Sequence, residues 1–473
     1  MQKCFSISKG ECIDLDRKLN EECGIFGIYS KDNLDVSRLT YFALFALQHR
    51  GQQGCGMAVN DLEKVVVKKN VGLVSEVFNE EFLSKTKGEI AVGHVLYSGA
   101  KTKTLESVQP LHTNYVKGYL SIVHNGSISN ADKLRNELLK NGAIFQTSSD
   151  VEVIAYLLAK ERFKCGSVEE AIKRVVPKLE GAFSLLIMSP KKLVCVRDKY
   201  GIRPLCMGKI DNSVIFASES CALNAVGADF VRDVKPGEII TVTQEGTFYD
   251  DTMCGGKSAL CIFEHIYFAR PDSVIDGQSV YASRVEAGKI LARQYPVSAD
   301  AVIGVPDSGI PAAIGYAKES GIPYENGLVK NRYIARTFIQ PLQDQREKSV
   351  NIKLNVLSET VAGKRIIMID DSIVRGTTLA NIVKLLKNAG ALEVHVRISS
   401  PPFLWPCYYG TDVGTRKQLV ACKHSIDEIR DLIGADTLGY LKLDGISDIA
   451  KNCNLDFCTA CFSGEYVYEH EVL

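Results

Sequence analysis

The chain has 473 residues with 56 basic and 56 acidic side chains, so it carries no formal net charge. That length exceeds one ordinary core and predicts about two to three domains. Neutrality implies no nucleic acid and no anionic membrane surface as partner, and no apolar run approaches the roughly 18 residues of a membrane span.

Residues 1–22 are polar, mixed in charge and lack the apolar core of a secretory signal. A cytoplasmic location follows as the expectation, with the 15 cysteines as thiols or metal ligands rather than disulfides. From Cys23 the run C-G-I-F-G-I-Y-S predicts a short strand. A chain cut before Cys23 would give that residue both a thiol and a free α-amine, and the amine can serve as base to its own side chain. Residues 39–51, L-T-Y-F-A-L-F-A-L-Q-H-R-G, predict an amphipathic helix ending in a polar cluster. Then come G-H-V-L-Y-S at 93–98, H-N-G at 124–126, S-S-D-V-E at 148–152, R-D-K-Y-G-I-R-P-L at 197–205 and A-S-E at 217–219. Singly, each reads as a loop or helix end. There is no internal repeat, and the best division is the glycine break C-G-G-K at 254–257.

The second half opens with C-I-F-E-H-I-Y-F-A-R-P-D-S from Cys261, followed by helical periodicity from Ser283 to Gln294. A strand at Ala301–Val305 ends in P-D-S-G-I-P, a glycine-containing loop before a helix. Residues 330–348 are basic on balance and poorly periodic. Residues 365–381, R-I-I-M-I-D-D-S-I-V-R-G-T-T-L-A-N, predict strand, loop and helix. Such a strand delivers Asp370 and Asp371 to the carboxyl edge of a parallel sheet, facing the free N–H groups of a helix. That arrangement suits a sugar phosphate with its divalent metal, with Ser372, Gly376, Thr377 and Thr378 offering hydroxyls and close backbone approach. Further on stand Cys407 and a C-x-x-C pair, Cys458 and Cys461. The pair alone is ambiguous among zinc, a redox dithiol and chance.

The segment around Asp370 resembles the phosphoribosylpyrophosphate (PRPP) loop of type I phosphoribosyltransferases. The resemblance implies that Asp370 and Asp371 hold the ribose hydroxyls and Mg²⁺, and that residues 374–378, including Arg375, wrap the 5′-phosphate. The first half resembles the class II glutamine amidotransferase domain, an N-terminal-nucleophile hydrolase with an α/β/β/α sandwich. It implies Cys23 as nucleophile, Asn125 and Gly126 as oxyanion hole, Asp150 as partner of the glutamine α-amino group, and residues 1–22 as a propeptide. P-D-S-G looks like the loop that receives pyrophosphate, with Asp307 and Ser308 as ligands and Gly309 as a further contributor to the metal site. K-N-R-Y-I-A-R-T-F-I is similar to the flexible loop that closes over PRPP, bringing Lys330, Arg332 and Arg336 to the pyrophosphate.

The cysteine-bearing stretches match the iron–sulfur subgroup of amidophosphoribosyltransferases. That match implies a [4Fe–4S] cluster on Cys261, Cys407, Cys458 and Cys461, with Cys422 and Cys453 as bystanders. The implied organisation is a propeptide at 1–22, an amidotransferase domain at 23–255 and a parallel-sheet phosphoribosyltransferase domain at 256–473. Glutamine and PRPP would be the substrates of the committed step of purine synthesis; purine nucleotides as inhibitors and a homotetramer are implied by the family alone.

Two residues depart from the pattern. Leu96 stands where the family's G-H-x-R-Y carries an arginine for the glutamine α-carboxylate, a loss on the order of 1.5–3 kcal/mol unless Arg50, Lys101 or Lys103 moves in. Gln53 stands where an acid is usual. Two alternatives therefore accompany the main reading: an ammonia-dependent phosphoribosyltransferase with an impaired glutaminase, and a non-catalytic PRPP or oxygen sensor.

Overall fold

The structure, a computed structural model, describes residues 23–61, 64–97, 105–331, 354–411, 413 and 415–469. The unbroken apolar run after Cys23 forms β1 (Gly24–Tyr29), a strand buried along its whole length, as expected where both faces of a sheet are covered. It is the centre of a seven-stranded sheet with β2 (Gly54–Asn60), β3 (Val65–Val71), β4 (Ile90–Leu96), β9 (Cys206–Ile210), β10 (Ser213–Ala217) and β11 (Asp229–Asp233), in the order β11-β9-β10-β1-β4-β2-β3. A six-stranded sheet of β5 (Leu111–Tyr115), β6 (Gly118–Ile128), β7 (Gly181–Ser189), β8 (Lys192–Arg197), β12 (Ile239–Val242) and β13 (Thr247–Asp250) runs β13-β12-β8-β7-β6-β5. Every pairing in both sheets is antiparallel.

The two sheets pack face to face. Ile25, Val92 and Phe216 of the first meet Val123, Leu186 and Ile240 of the second in one apolar layer. The outer face of the first sheet is covered by helix Val36–Ala46, whose Ala43 and Leu44 sit over Phe26 and Ile28. Helices Ala131–Lys140, Asp150–Arg162 and Val168–Val175 cover the second. The layers therefore run α/β/β/α, as the resemblance implied. The helix read at 39–51 ends sooner: the chain tightens into a 3₁₀ turn at Gln48–Arg50, which turns the Arg50 side chain into the interior.

In the second half four parallel strands, Ala301–Gly304, Arg365–Asp370, Glu393–Ile398 and Thr437–Tyr440, lie side by side in that order. Helices Val280–Gln294 and Gly309–Ser320 cover one face through Ala287, Leu291, Ala313 and Tyr316. Helices Thr377–Asn388 and Ile426–Ile433 cover the other through Leu379, Ile382, Ile429 and Ile433. The first of these helices starts three residues earlier than its periodicity predicts, because Ser279 Oγ caps it by accepting from the Ala282 N–H (3.3 Å). A short strand near the C-terminus, Phe457–Cys458, returns to pair in parallel with Leu260–Cys261. Among the described residues no helix is long and apolar enough to cross a membrane.

Candidate active site

Cys23 precedes β1 and is partly exposed, its Sγ 3.6 Å from the Tyr97 carbonyl oxygen. Across the sandwich from β1 lies β6, which carries Asn125 and Gly126. Asn125 is fully buried and both amide atoms lack a hydrogen-bond partner. A buried amide left unpaired costs free energy, so the site holds a donor and an acceptor reserved for something else. Gly126 has φ +128°, and a Cβ there would lie 2.1 Å from the Ala182 carbonyl oxygen, so only glycine fits. Two residues further along β6, the Ile128 N–H donates to Asp150 Oδ2 at 2.8 Å. Asp150 opens its helix behind the Ser149 cap. Burial pushes its carboxyl up to about 6, although the Ile128 N–H and nearby Arg135 pull the other way. His124, which precedes Asn125, and His94, which neighbours His124, are held neutral by burial, at about 4 and about 3.

Motifs that stand apart in the sequence meet beneath Cys23. Arg50, fully buried, donates Nε to the Cys23 carbonyl (3.3 Å), Nη1 to Glu219 (2.6 Å), and both Nη1 and Nη2 to Glu264 (3.0 and 2.7 Å). Glu219 also accepts from the Arg270 N–H (2.9 Å) and Ser273 Oγ (2.6 Å) and lies 2.7 Å from His49 Nε2. Burial opposes its charge, yet His49 and Arg50 hold its carboxyl well below the usual range. Buried Arg203 reaches Glu264 at 3.3 Å and the Tyr409 carbonyl at 2.8 Å. Arg197 forks onto Asp276 at 2.8 and 3.0 Å.

In the parallel sheet, strand Arg365–Asp370 ends on two buried carboxylates. The Asp371 carboxylate accepts from Ser308 Oγ and from Ser372 Oγ, each at 2.5 Å, which ties the P-D-S-G loop to the D-D-S loop. Gly376 takes φ +84° where the loop turns into helix Thr377–Asn388. Residues 370–379 line one cavity together with Tyr267. At its side Lys330 Nζ lies 2.7 Å from Asp307 Oδ2. Gly309 opens helix Gly309–Ser320 against the sheet, where a Cβ would stand 2.5 Å from the Ile369 carbonyl oxygen. That close approach leaves no room for a side chain at 309, so Gly309 has only its backbone to contribute to the expected metal site.

Cys261, Cys407, Cys458 and Cys461 line a second cavity with Arg203, Phe263, Phe403, Tyr409 and Tyr466. The Tyr409 N–H donates to Cys407 Sγ at 3.4 Å. Burial pushes Cys458 up to about 11 and Cys461 well above its ordinary value, with the neighbouring thiols adding to both. Cys422 is turned elsewhere, its thiol on the Leu404 carbonyl. Among the described residues no group of three His, Cys, Asp or Glu converges as for a single metal ion.

A glutamine amidotransferase domain model matches residues 99–225, and a phosphoribosyl transferase domain model matches residues 281–399. An amidophosphoribosyltransferase of Archaeoglobus fulgidus is 46% identical, the alignment covering 94% of this chain and 97% of the relative. The chain belongs to the amidophosphoribosyltransferase family. The Bacillus subtilis amidophosphoribosyltransferase is likewise 46% identical, over 96% of each chain. A solved glutamine PRPP amidotransferase from B. subtilis, complexed with ADP and GMP, superposes with TM-score 0.88 at 46% identity, covering 94% of this chain and 98% of that one. A structure of the allosteric regulatory enzyme of purine biosynthesis gives 0.89, also at 46%, with 94% and 96% covered.

Within this member of the family, Arg50 does not stand in for the arginine missing at Leu96. Drawing it away would leave Glu219 and Glu264 buried without their shared cation. Leu96 itself is buried at the end of β4, its carbonyl accepting from the Gln53 N–H at 3.1 Å. Lys101, Lys103, Arg332, Arg336 and residues 1–22 lie outside the described residues. Sequence reasoning missed Tyr267, in the cavity lined by residues 370–379, and the Arg50–Glu219–Glu264–Arg203 cluster. The signal was there, in Q-H-R-G, A-S-E and F-E-H, but no spacing says that these stretches meet.

Proposed function

We propose that this chain converts glutamine, PRPP and water to 5-phosphoribosylamine, pyrophosphate and glutamate, the first committed step of purine biosynthesis. The observation that carries the reading is the coexistence in one chain of the buried Asp370–Asp371 pair below a helix N-terminus and a thiol placed before β1, across the sandwich from an unpartnered Asn125 amide. In this reading the chain is divided at 23–255 and 256–473 and residues 1–22 are removed. The freed α-amine of Cys23 takes the thiol proton, and the thiolate adds to the glutamine carboxamide. The charge that develops on the amide oxygen is received by Asn125 Nδ2 and the Gly126 N–H. Ammonia departs, water hydrolyses the thioester, and glutamate leaves from Asp150. Ammonia reaches the second site internally and displaces pyrophosphate from C1 of PRPP.

There Asp370 and Asp371 hold the ribose, while Ser372, Arg375, Gly376, Thr377 and Thr378 surround the 5′-phosphate. Asp307 and Ser308 receive the pyrophosphate, toward which Lys330 moves from Asp307 on closure, excluding water. The same carboxylates suit Mg²⁺, which binds through one or two acids and substrate phosphates and would neutralise the departing pyrophosphate. Gly309 can offer that ion only a carbonyl. The test is stoichiometry: glutamate and pyrophosphate should appear one to one, and pyrophosphate without glutamate would contradict the reading.

Four thiols around one apolar cavity fit a [4Fe–4S] cluster. The raised values of Cys458 and Cys461 reflect burial and the neighbouring thiols, a repulsion that cationic iron would relieve, and the Tyr409 N–H donates to Cys407 Sγ, a hydrogen bond to sulfur of the kind such clusters use. The cluster would clamp the C-terminal segment onto the body. Anaerobic analysis should find about four iron and four sulfide per chain; stoichiometric zinc instead would replace this assignment. Purine nucleotide inhibition, a homotetramer and a cytoplasmic location complete the proposal. Leu96, with Arg50 committed elsewhere, favours a second reading in which ammonia serves better than glutamine.

Asp150 gives the glutamine site a pH signature. With its carboxyl raised to about 6, the charged form that pairs with an α-ammonium is lost as pH falls through that value. Glutamine affinity of a Cys23→Ala variant should drop about tenfold per pH unit below 6, with proton release on binding. Calorimetry in buffers of different ionisation enthalpy checks both.

A further inference from the structure

The motifs that the catalytic reading leaves unused, Q-H-R-G and F-E-H, converge on one carboxylate. Glu264 belongs to the five-residue π-helical segment Glu264–Phe268 at the start of the second half, and its side chain is fully buried. It grips Arg50 with both oxygens, at 2.7 and 3.0 Å. Arg50 in turn donates Nε to the carbonyl of Cys23. A guanidinium has a fixed fork, so a carboxylate that holds two of its nitrogens sets the direction of the third. Glu219, from the first half, touches only Nη1 and leaves the plane of the fork free to rotate. The backbone of the nucleophile is therefore aimed by an acid contributed from outside its own sandwich.

We propose that Glu264 is a positioning residue for glutamine hydrolysis: acting through Arg50, it fixes the Cys23 main chain and hence the direction in which the thiol and its α-amine face the substrate carbon. The glutaminase site is then incomplete without the phosphoribosyltransferase half. Glu264 touches neither glutamine nor PRPP. Its removal should lower the rate of the glutamine step and leave the binding of glutamine, which falls to Asp150, unaltered. Tyr267, three residues further along the same segment, lines the PRPP-loop cavity, so the segment that aims Arg50 also borders the second substrate.

The inference rests on the reading of Cys23 as nucleophile, so the experiment separates the two. Glutamine-dependent and ammonia-dependent pyrophosphate release are measured on identically handled anaerobic preparations of wild type, Cys23→Ala, Glu264→Asp and Glu264→Gln, each beginning at residue 23. The ratio of the two rates cancels any loss of folded protein. Wild-type glutamine turnover that disappears in Cys23→Ala upholds the nucleophile, and its persistence there overturns that reading instead. Glu264→Asp keeps the charge but is one methylene too short to hold Arg50 and Arg203 together. It should lower the ratio at least threefold through kcat, with the glutamine KM within twofold. Glu264→Gln should lower it at least tenfold; should that variant not fold, Glu264→Asp decides alone. An unchanged ratio in Glu264→Asp, or a fall in both routes together, overturns the proposal, because a merely structural acid would give one or the other.

Discussion

Replacing Cys23 with alanine should abolish glutamine-dependent turnover, a loss on the order of 10⁴-fold or more, as expected when a covalent nucleophile is removed. Ammonia-dependent turnover should persist. The reason is spatial. Cys23 lies at the start of β1, in a sandwich whose apolar layer is built entirely from the first half, whereas Asp370 and Asp371 end a strand of a separate parallel sheet. Arg50, which links Cys23 to Glu264 of the second half, holds the Cys23 carbonyl rather than its side chain, so truncating the sulfur leaves that link in place. Steady-state assays with each nitrogen donor decide the matter, and loss of both routes would remove the two-site account.

The second large effect is Asp370→Asn, which should impair both routes together, by on the order of 10²–10³-fold, since on the proposed reading it takes a charge from the site that would hold the ribosyl cation and the metal. Asp370 is buried, and its Oδ1 already accepts from the Asp371 N–H at 3.0 Å. Asparagine keeps that bond, so the protein should fold and the loss should be chemical. Wild-type ammonia turnover in this variant would refute the assigned role.

The fold was legible wherever the chain repeats itself locally. β1 and strand Arg365–Asp370 are six-residue runs, mostly apolar and rich in isoleucine, and that short length with β-branched side chains favours a strand covered on both faces over a helix segment. The D-D-S-I-V-R-G-T-T loop was readable because its acids, hydroxyls and glycine are contiguous. Helix ends were less so: Ser279 as cap and the 3₁₀ turn at Gln48–Arg50 follow from a single hydroxyl and a single buried guanidinium. Apart from the four cysteines that the family resemblance brought together, what could not be read was pairing across long separations. Arg50 and Glu264 are 214 positions apart, and nothing in either stretch names the other. Arg50 even looked available to replace the arginine missing at Leu96, until its two carboxylates were placed. Gly309, read as a contributor to the metal site, also meets a packing requirement against the Ile369 carbonyl that its motif does not reveal.

The central claim is that one chain joins glutamine hydrolysis to PRPP amination. Pyrophosphate release from Mg-PRPP, measured anaerobically with glutamine and with ammonium chloride in parallel, tests it most directly. Release with both donors is the predicted result and would mean that another group replaces the arginine absent at Leu96. Release with neither would contradict the account and leave a PRPP-binding sensor in its place.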